Sequence, residues 1–251
     1  MSETQTPSNH RALLVAVDAE AYSKRNTSSQ YRLQANLLDI LKAAAKNARL
    51  DRVQWRLQPQ GDGELAVLPQ GTDERLVVDS FVDELDKLLT VHNEERLPEA
   101  RLRLRIAMHF GVAIPAPNGY AGQAPVDVSR ILDSAALRQA LGADPAANLA
   151  LALSDSLYEE LILNNLTSLR PEDFESHDLS EPKFRGRAWI RVPRRQYTAR
   201  YSTSAPPKPT PKRKSGRGPS RAQDPARATV VNHISDSTIE VAGIQNNLGG
   251  A

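Results

Sequence analysis

With 251 residues and 40% hydrophobic composition, the chain is long and apolar enough for one substantial core with appendages, and its lack of cysteine excludes disulfides, thiolate metal sites and a cysteine nucleophile. The net charge of +2 is unevenly spread: residues 1–198 carry 24 basic and 27 acidic side chains, whereas 199–228 carry 8 basic and 1 acidic. The positive charge therefore belongs to a linker rather than to the domain, so composition gives no reason to expect a nucleic-acid partner.

No run of about 18 apolar residues is present to cross a bilayer, and the polar start MSETQTPSNH lacks the layout of a secretion signal, so the expected compartment is the cytoplasm. Residues 1–9 are expected to be disordered. The segment ALLVAVD, Ala12 to Asp18, reads as a buried strand that delivers Asp18 to a sheet edge. From Tyr31 to Arg49, Leu33, Leu37, Leu38, Ile40 and Leu41 recur at helical spacing, giving an amphipathic helix. VQWRL and ELAVLP flank the turn-like QPQGDG and predict a hairpin with Asp62 at its tip.

A second helix fits Glu74 to His92. RLRLRIAMHF alternates, with Leu102, Leu104, Ile106, Met108 and Phe110 on one face and Arg101, Arg103 and Arg105 on the other, which predicts a half-buried strand. A Pro- and Gly-rich loop, Pro115 to Gly122, precedes a helix expected over Val126 to Leu141. The strand NLALAL, a short helix with Ser154 as N-cap, and a last strand AWIRV, Ala188 to Val192, complete the domain. This order predicts an α+β architecture, a mixed sheet covered by helices.

The residues from 199 to 228, rich in Pro, Ser, Lys and Arg, cannot bury a core and are expected to form a disordered linker. At Thr229 the composition changes again. The tail to residue 251 mixes β-branched residues with Asn, Gln and Gly, a pattern capable of cross-β stacking.

Asp18 at a strand end and Asp62 at a hairpin tip would project from the same sheet edge if their strands are neighbours. Two such carboxylates make a divalent-cation site; equally, both are residue types common in turns. The five histidines, His10, His92, His109, His177 and His233, show no paired spacing, so zinc is not expected.

Four segments in order, VDAEAYS, QGDGELAVLP, LRLRIAMHFGVAI and GQAPVDVSRILDS, resemble the first-metal motif, second-metal hairpin, following strand and substrate helix of class III adenylate and guanylate cyclases. The resemblance covers most of residues 10–193, within a domain expected over 10–198, and implies the ferredoxin-like class III cyclase fold. It implies further that Asp18 and Asp62 hold two Mg2+ or Mn2+ ions, and that Arg130 stabilises the transition state. The 3′-hydroxyl of a nucleoside triphosphate would attack the α-phosphorus, giving a cyclic nucleotide and pyrophosphate. A homodimer with composite sites is implied as well, in a role in bacterial signalling or defence.

Several positions depart from that pattern. Ala21 stands where the first motif has glycine, beside Glu20. Val126 stands four residues before Arg130, where the family has asparagine, with Asp127 the nearest polar residue. Gln58 occupies a position that is often lysine in adenylate cyclases, so the base is not indicated; the pattern is also similar to bacterial antiphage cyclases that make pyrimidine cyclic nucleotides. Tyr120 is placed to read a base or simply to pack, and Lys183 and Arg185 to contact phosphate or to stay solvated.

VAGIQNNLG, with Ile244, Gln245 and Gly249, resembles bacterial amyloid signalling motifs similar to the RIP homotypic interaction motif. That resemblance implies an effector protein recruited through residues 229–251. An alternative function follows from the departures: a catalytically inactive cyclase fold that binds a nucleotide or partner and signals through the tail.

Overall fold

The computed structural model describes residues 11–181 and 184–193. The expectations for residues 1–9, 199–228 and 229–251, and for Lys183, fall outside the described residues. The strand β1 (Arg11–Ala19) leads into the helix α1 (Thr27–Asn47), followed by the hairpin β2 (Arg56–Gln60) and β3 (Gly63–Val67). One π-helical turn, Leu76–Phe81, continues into α2 (Val82–Asn93). Then come β4 (Leu104–Val112), the small hairpin β5 (Ile114–Ala116) and β6 (Gly119–Ala121), α3 (Gln123–Leu132) and α4 (Ala135–Ala143). The strand β7 (Leu149–Ser154), the short α5 (Asp155–Tyr158), and the paired strands β8 (Glu175–Glu181) and β9 (Phe184–Arg191) finish the domain.

Seven strands form one sheet in the order β2-β3-β1-β4-β7-β9-β8. Only β4 and β7 run parallel, so the sheet is mixed and the expected α+β class holds.

Period-two alternation sorts the central strands onto two cores. Leu13, Val15 and Val17 of β1, with Leu104, Ile106 and Met108 of β4, pack under α1 and α2. Leu14 and Ala16 pack on the opposite face against Val128 and Ile131 of α3 and Leu137 and Leu141 of α4. Asp18 and Arg105 follow this alternation onto the α3 and α4 side.

Both faces of β4 are therefore covered, which corrects the expectation of a half-buried strand. Arg103, just before β4, and Arg105 within it find partners inside the protein instead of water. Arg103 donates through Nε to the Ala147 carbonyl at 2.8 Å and through Nη2 to the carbonyls of Leu141 and Asp144 at the end of α4, and pairs with Glu20. A cation there meets the negative end of the helix.

Other departures have local causes. The helix expected from Val126 to Leu141 is two, because Ser134 caps a new start by accepting from the Leu137 N–H at 3.3 Å. Val53 lies in a single turn capped by Asp51, so β2 begins only at Arg56 and contains Pro59 of the expected turn. β8 is polar and sits at the sheet edge, which conceals it from a hydrophobic pattern.

A buried amide ties α2 to the sheet. The Asn93 side chain donates to the Leu102 carbonyl and to Asn148 Oδ1, and accepts from the Leu102 N–H, at 2.8 to 3.0 Å. Trp55 meets Phe81 edge-on just before β2, whereas Trp189 in β9 stacks on Tyr158 at 3.8 Å and donates to Asp155.

Two backbone positions govern the edge that carries the aspartates. A Cβ on Gly63 would lie 1.8 Å from the Val17 carbonyl oxygen, so β3 can lie against β1 only with glycine there. Ala21 is held at φ 58°, a left-handed conformation that costs a non-glycine residue about 1–2 kcal/mol. Gly63→Ala should destabilise the domain by about 1–3 kcal/mol through forced repacking. Ala21→Gly should raise stability or leave it unchanged. Chemical denaturation followed by circular dichroism checks both, and a neutral Gly63→Ala would refute the close-packing argument.

Candidate functional site

The carboxylate edge is built by register. Asp18 pairs across the sheet with Gly63 on one side and Arg105 on the other. The Ala19 N–H donates to the Asp62 carbonyl at 2.8 Å, which draws the hairpin tip onto the end of β1. Gln34 of α1 donates to the Gly61 carbonyl at 2.6 Å and to the Tyr22 hydroxyl at 2.7 Å, fixing the tip from the other side.

Asp18 is buried, 6% exposed, and its carboxylate accepts a forked pair from Arg105: Nε to Oδ1 at 2.8 Å and Nη2 to Oδ2 at 2.5 Å. Burial pushes the Asp18 carboxyl up to about 6, against the opposing pull of Arg105, and the nearby charges of Asp62 and Asp133 push the same way. Asp62 is half-buried. The two predicted aspartates are thus brought close enough to feel each other's charge. Arg105, read from sequence only as one member of a polar strand face, proves to be the group that neutralises Asp18.

Among the described residues no cluster of three or more metal-ligating side chains occurs. Two coupled carboxylates still fit Mg2+ or Mn2+, because such ions are commonly held by one or two carboxylates with water and substrate phosphates completing the shell. Arg105 must share or release Asp18 for that to happen.

On the same side of the sheet a cleft of about 900 Å³ opens between the β2 strand, the β5–β6 hairpin and α3. Gln58, Tyr120 and Arg130 all line it, together with Val126, Asp133 and Arg138. Three residues from separate parts of the sequence reading therefore converge. The charge of Asp133, in the cleft wall, reaches Asp18, which sets the cleft beside the carboxylate edge.

Gly119 (φ 105°) explains the position of Gln58: a Cβ there would come within 2.4 Å of Gln58 Oε1, so the amide is packed directly on the hairpin backbone. Asp127 accepts from Gln123 at 2.6 Å and lies 3.9 Å from Arg130 Nη1. It acts on that arginine from the helix, while Val126 lines the cleft. Arg185 belongs to β9, on the far side of β7 from the carboxylate edge, and Lys183 is outside the described residues.

His109, counted in the sequence among five histidines without paired spacing, is a partly buried histidine outside the cleft lining. It lies in β4, with its imidazole against Gly111, and its Nδ1 is buried without a hydrogen-bond partner. Burial lowers its pKa, partly opposed by Asp127, so it is favoured as the neutral ring.

No protein-family model matches the chain, and no curated protein matches it. Solved structures do. An adenylate/guanylate cyclase/hydrolase from Silicibacter pomeroyi is similar over 74% of this chain and 98% of its own, at 17% identity and a TM-score of 0.53. The guanylyl cyclase Cya2 is similar over 74% of this chain and 92% of its own, at 11% identity and a TM-score of 0.50. At these identities the likeness is one of fold, and the mixed seven-stranded sheet with helices on both faces is the class III nucleotide cyclase fold.

Proposed function

We propose that the chain is a nucleotide cyclase-like signalling protein that converts a nucleoside triphosphate to a 3′,5′-cyclic nucleotide and pyrophosphate. The observation that carries this reading is that one domain presents both halves of such a site: a cleft on which Gln58, Tyr120 and Arg130 converge, and the neighbouring carboxylates Asp18 and Asp62. A cyclase must hold a base, a triphosphate and a ribose hydroxyl together, and that cleft supplies an amide, an aromatic ring and a guanidinium.

Each residue has a defined task. The forked donors of Arg130 suit phosphate oxygens whose charge grows as the bond to the leaving pyrophosphate breaks. Gln58 offers both a donor and an acceptor to a base edge, and Tyr120 a stacking face with a polar tip. Asp18 and Asp62 are the residues that would hold divalent ions, which when bound supply an acidified 3′-hydroxyl and a neutralised triphosphate. Arg105 keeps Asp18 ionised and in place until then. In a homodimer, carboxylates of one subunit and the Arg130 cleft of its partner would form composite sites. Residues 229–251 would recruit an effector through Ile244, Gln245 and Gly249.

A second reading rests on a specific observation: both oxygens of Asp18 are already engaged by Arg105, and an apolar Val126 lines the cleft. These fit a cyclase fold that binds a nucleotide without turning it over and signals through its tail.

Incubation with ATP, GTP, CTP or UTP, in Mn2+ and then in Mg2+, should yield one cyclic monophosphate by mass spectrometry. Asp62→Ala should abolish it with the circular dichroism spectrum unchanged. Silence in all eight mixtures would leave the binding reading. Because Asp18 must be ionised and burial raises it to about 6, turnover should fall as pH drops through that value, and a rate flat from pH 7 to 5 would remove Asp18 from the mechanism. A peptide of residues 229–251 should form thioflavin-positive fibres; a peptide that stays soluble and unstructured would end the recruitment idea.

A further inference from the structure

A second concavity, of about 550 Å³, lies where the turn Tyr22–Lys24 and the start of α1 meet the end of α2 and the segment leading into β4. Lys24, Arg25, Arg32, His92 and Arg96 line it, against a single acid, Glu99. Residues 1–198 are slightly acidic as a whole, with 24 basic and 27 acidic side chains, so this is a local reversal of charge.

The cations are not spent on ion pairs. Among the described residues, Lys24, Arg25, Arg32 and Arg96 have no carboxylate partner within 4.0 Å. Arg25 donates through Nη2 to the Arg101 carbonyl at 2.6 Å, which fixes its guanidinium, yet its Nε is buried with no acceptor. Arg96 is anchored by donating to the His92 carbonyl. Burial and the neighbouring Arg96 both lower the pKa of His92.

We propose that this concavity is a binding site for a small phosphorylated anion, separate from the cleft that contains Arg130. The volume lies within the range of small-molecule pockets, and guanidinium forks held by backbone carbonyls match phosphoryl oxygens in geometry as well as charge. The first turn of α1, which carries no acidic residue, adds its N–H groups in the same sense. A concave wall of unpaired cations also focuses the field and draws in multivalent anions before monovalent ones.

Titration calorimetry on the full chain without divalent ions tests this, with pyrophosphate and adenosine 5′-monophosphate as probes. Lys24 and Arg32 are exposed, so Lys24→Ala/Arg32→Ala should fold normally. Binding should weaken at least about tenfold in that variant, which corresponds to about 1.4 kcal/mol, and should persist in Arg130→Ala. Binding of pyrophosphate shows that the phosphoryl group suffices; binding of adenosine 5′-monophosphate alone shows that a nucleotide is required. The proposal is overturned if neither probe binds at millimolar concentration, if the double variant binds as tightly as the parent, or if Arg130→Ala abolishes binding. Nothing in these outcomes depends on whether the chain makes a cyclic nucleotide.

Discussion

The functional edge of the sheet depends on how closely β3 lies against β1, and that approach exists because residue 63 has no side chain. With Gly63 facing the Val17 carbonyl, the hairpin tip folds over the end of β1, and the Asp62 carbonyl receives the Ala19 N–H. Asp18 and Asp62 become electrostatic neighbours as a result. A larger residue would displace the hairpin tip, and with it the Gln34 contact that ties α1 to the same place.

The domain also buries two carboxylates, Asp18 and Glu64, each against an arginine. Arg52 donates through Nη2 to both carboxylate oxygens of Glu64 at 2.5 and 2.7 Å, Arg105 forks onto Asp18, and Arg103 caps α4. Buried pairs of this kind add little net stability, because desolvation offsets most of their attraction, whereas losing one partner is expensive. They therefore act on arrangement more than on stability: Arg105 joins β4 to β1, Arg52 ties the turn before β2 to β3, and Arg103 ties the start of β4 to the end of α4. Asp18 shows the compromise, since burial alone would favour its neutral form and Arg105 opposes that.

Much of this was legible in the sequence. The apolar run of β1, the alternation in β4, the helical spacing of α1 and the G-D-G tip placed those elements in the right order, and the reading of Asp18 at a strand end and Asp62 at a hairpin tip anticipated a shared edge. The same alternation misjudged β4, because an arginine on a strand reads as solvent-facing whether it meets water or a helix end. The break between α3 and α4 was signalled by Asp133-Ser134, a capping pair hidden inside a continuous apolar pattern. What sequence periodicity cannot carry is the identity of a residue's partner, so Arg105 emerged as the partner of Asp18 only in three dimensions.

The two tryptophans offer a consequence of a different kind. Trp55 lies before β2, at one end of the strand order, and packs edge-on to Phe81; Trp189 lies in β9, toward the other end, face to face with Tyr158. The chain contains no third tryptophan. Its intrinsic fluorescence is therefore the sum of two emitters in distinct surroundings, one for each flank of the sheet. Loss of both signals at the same denaturant concentration would mark the sheet as a single cooperative unit, and a split would locate the weaker flank without any label.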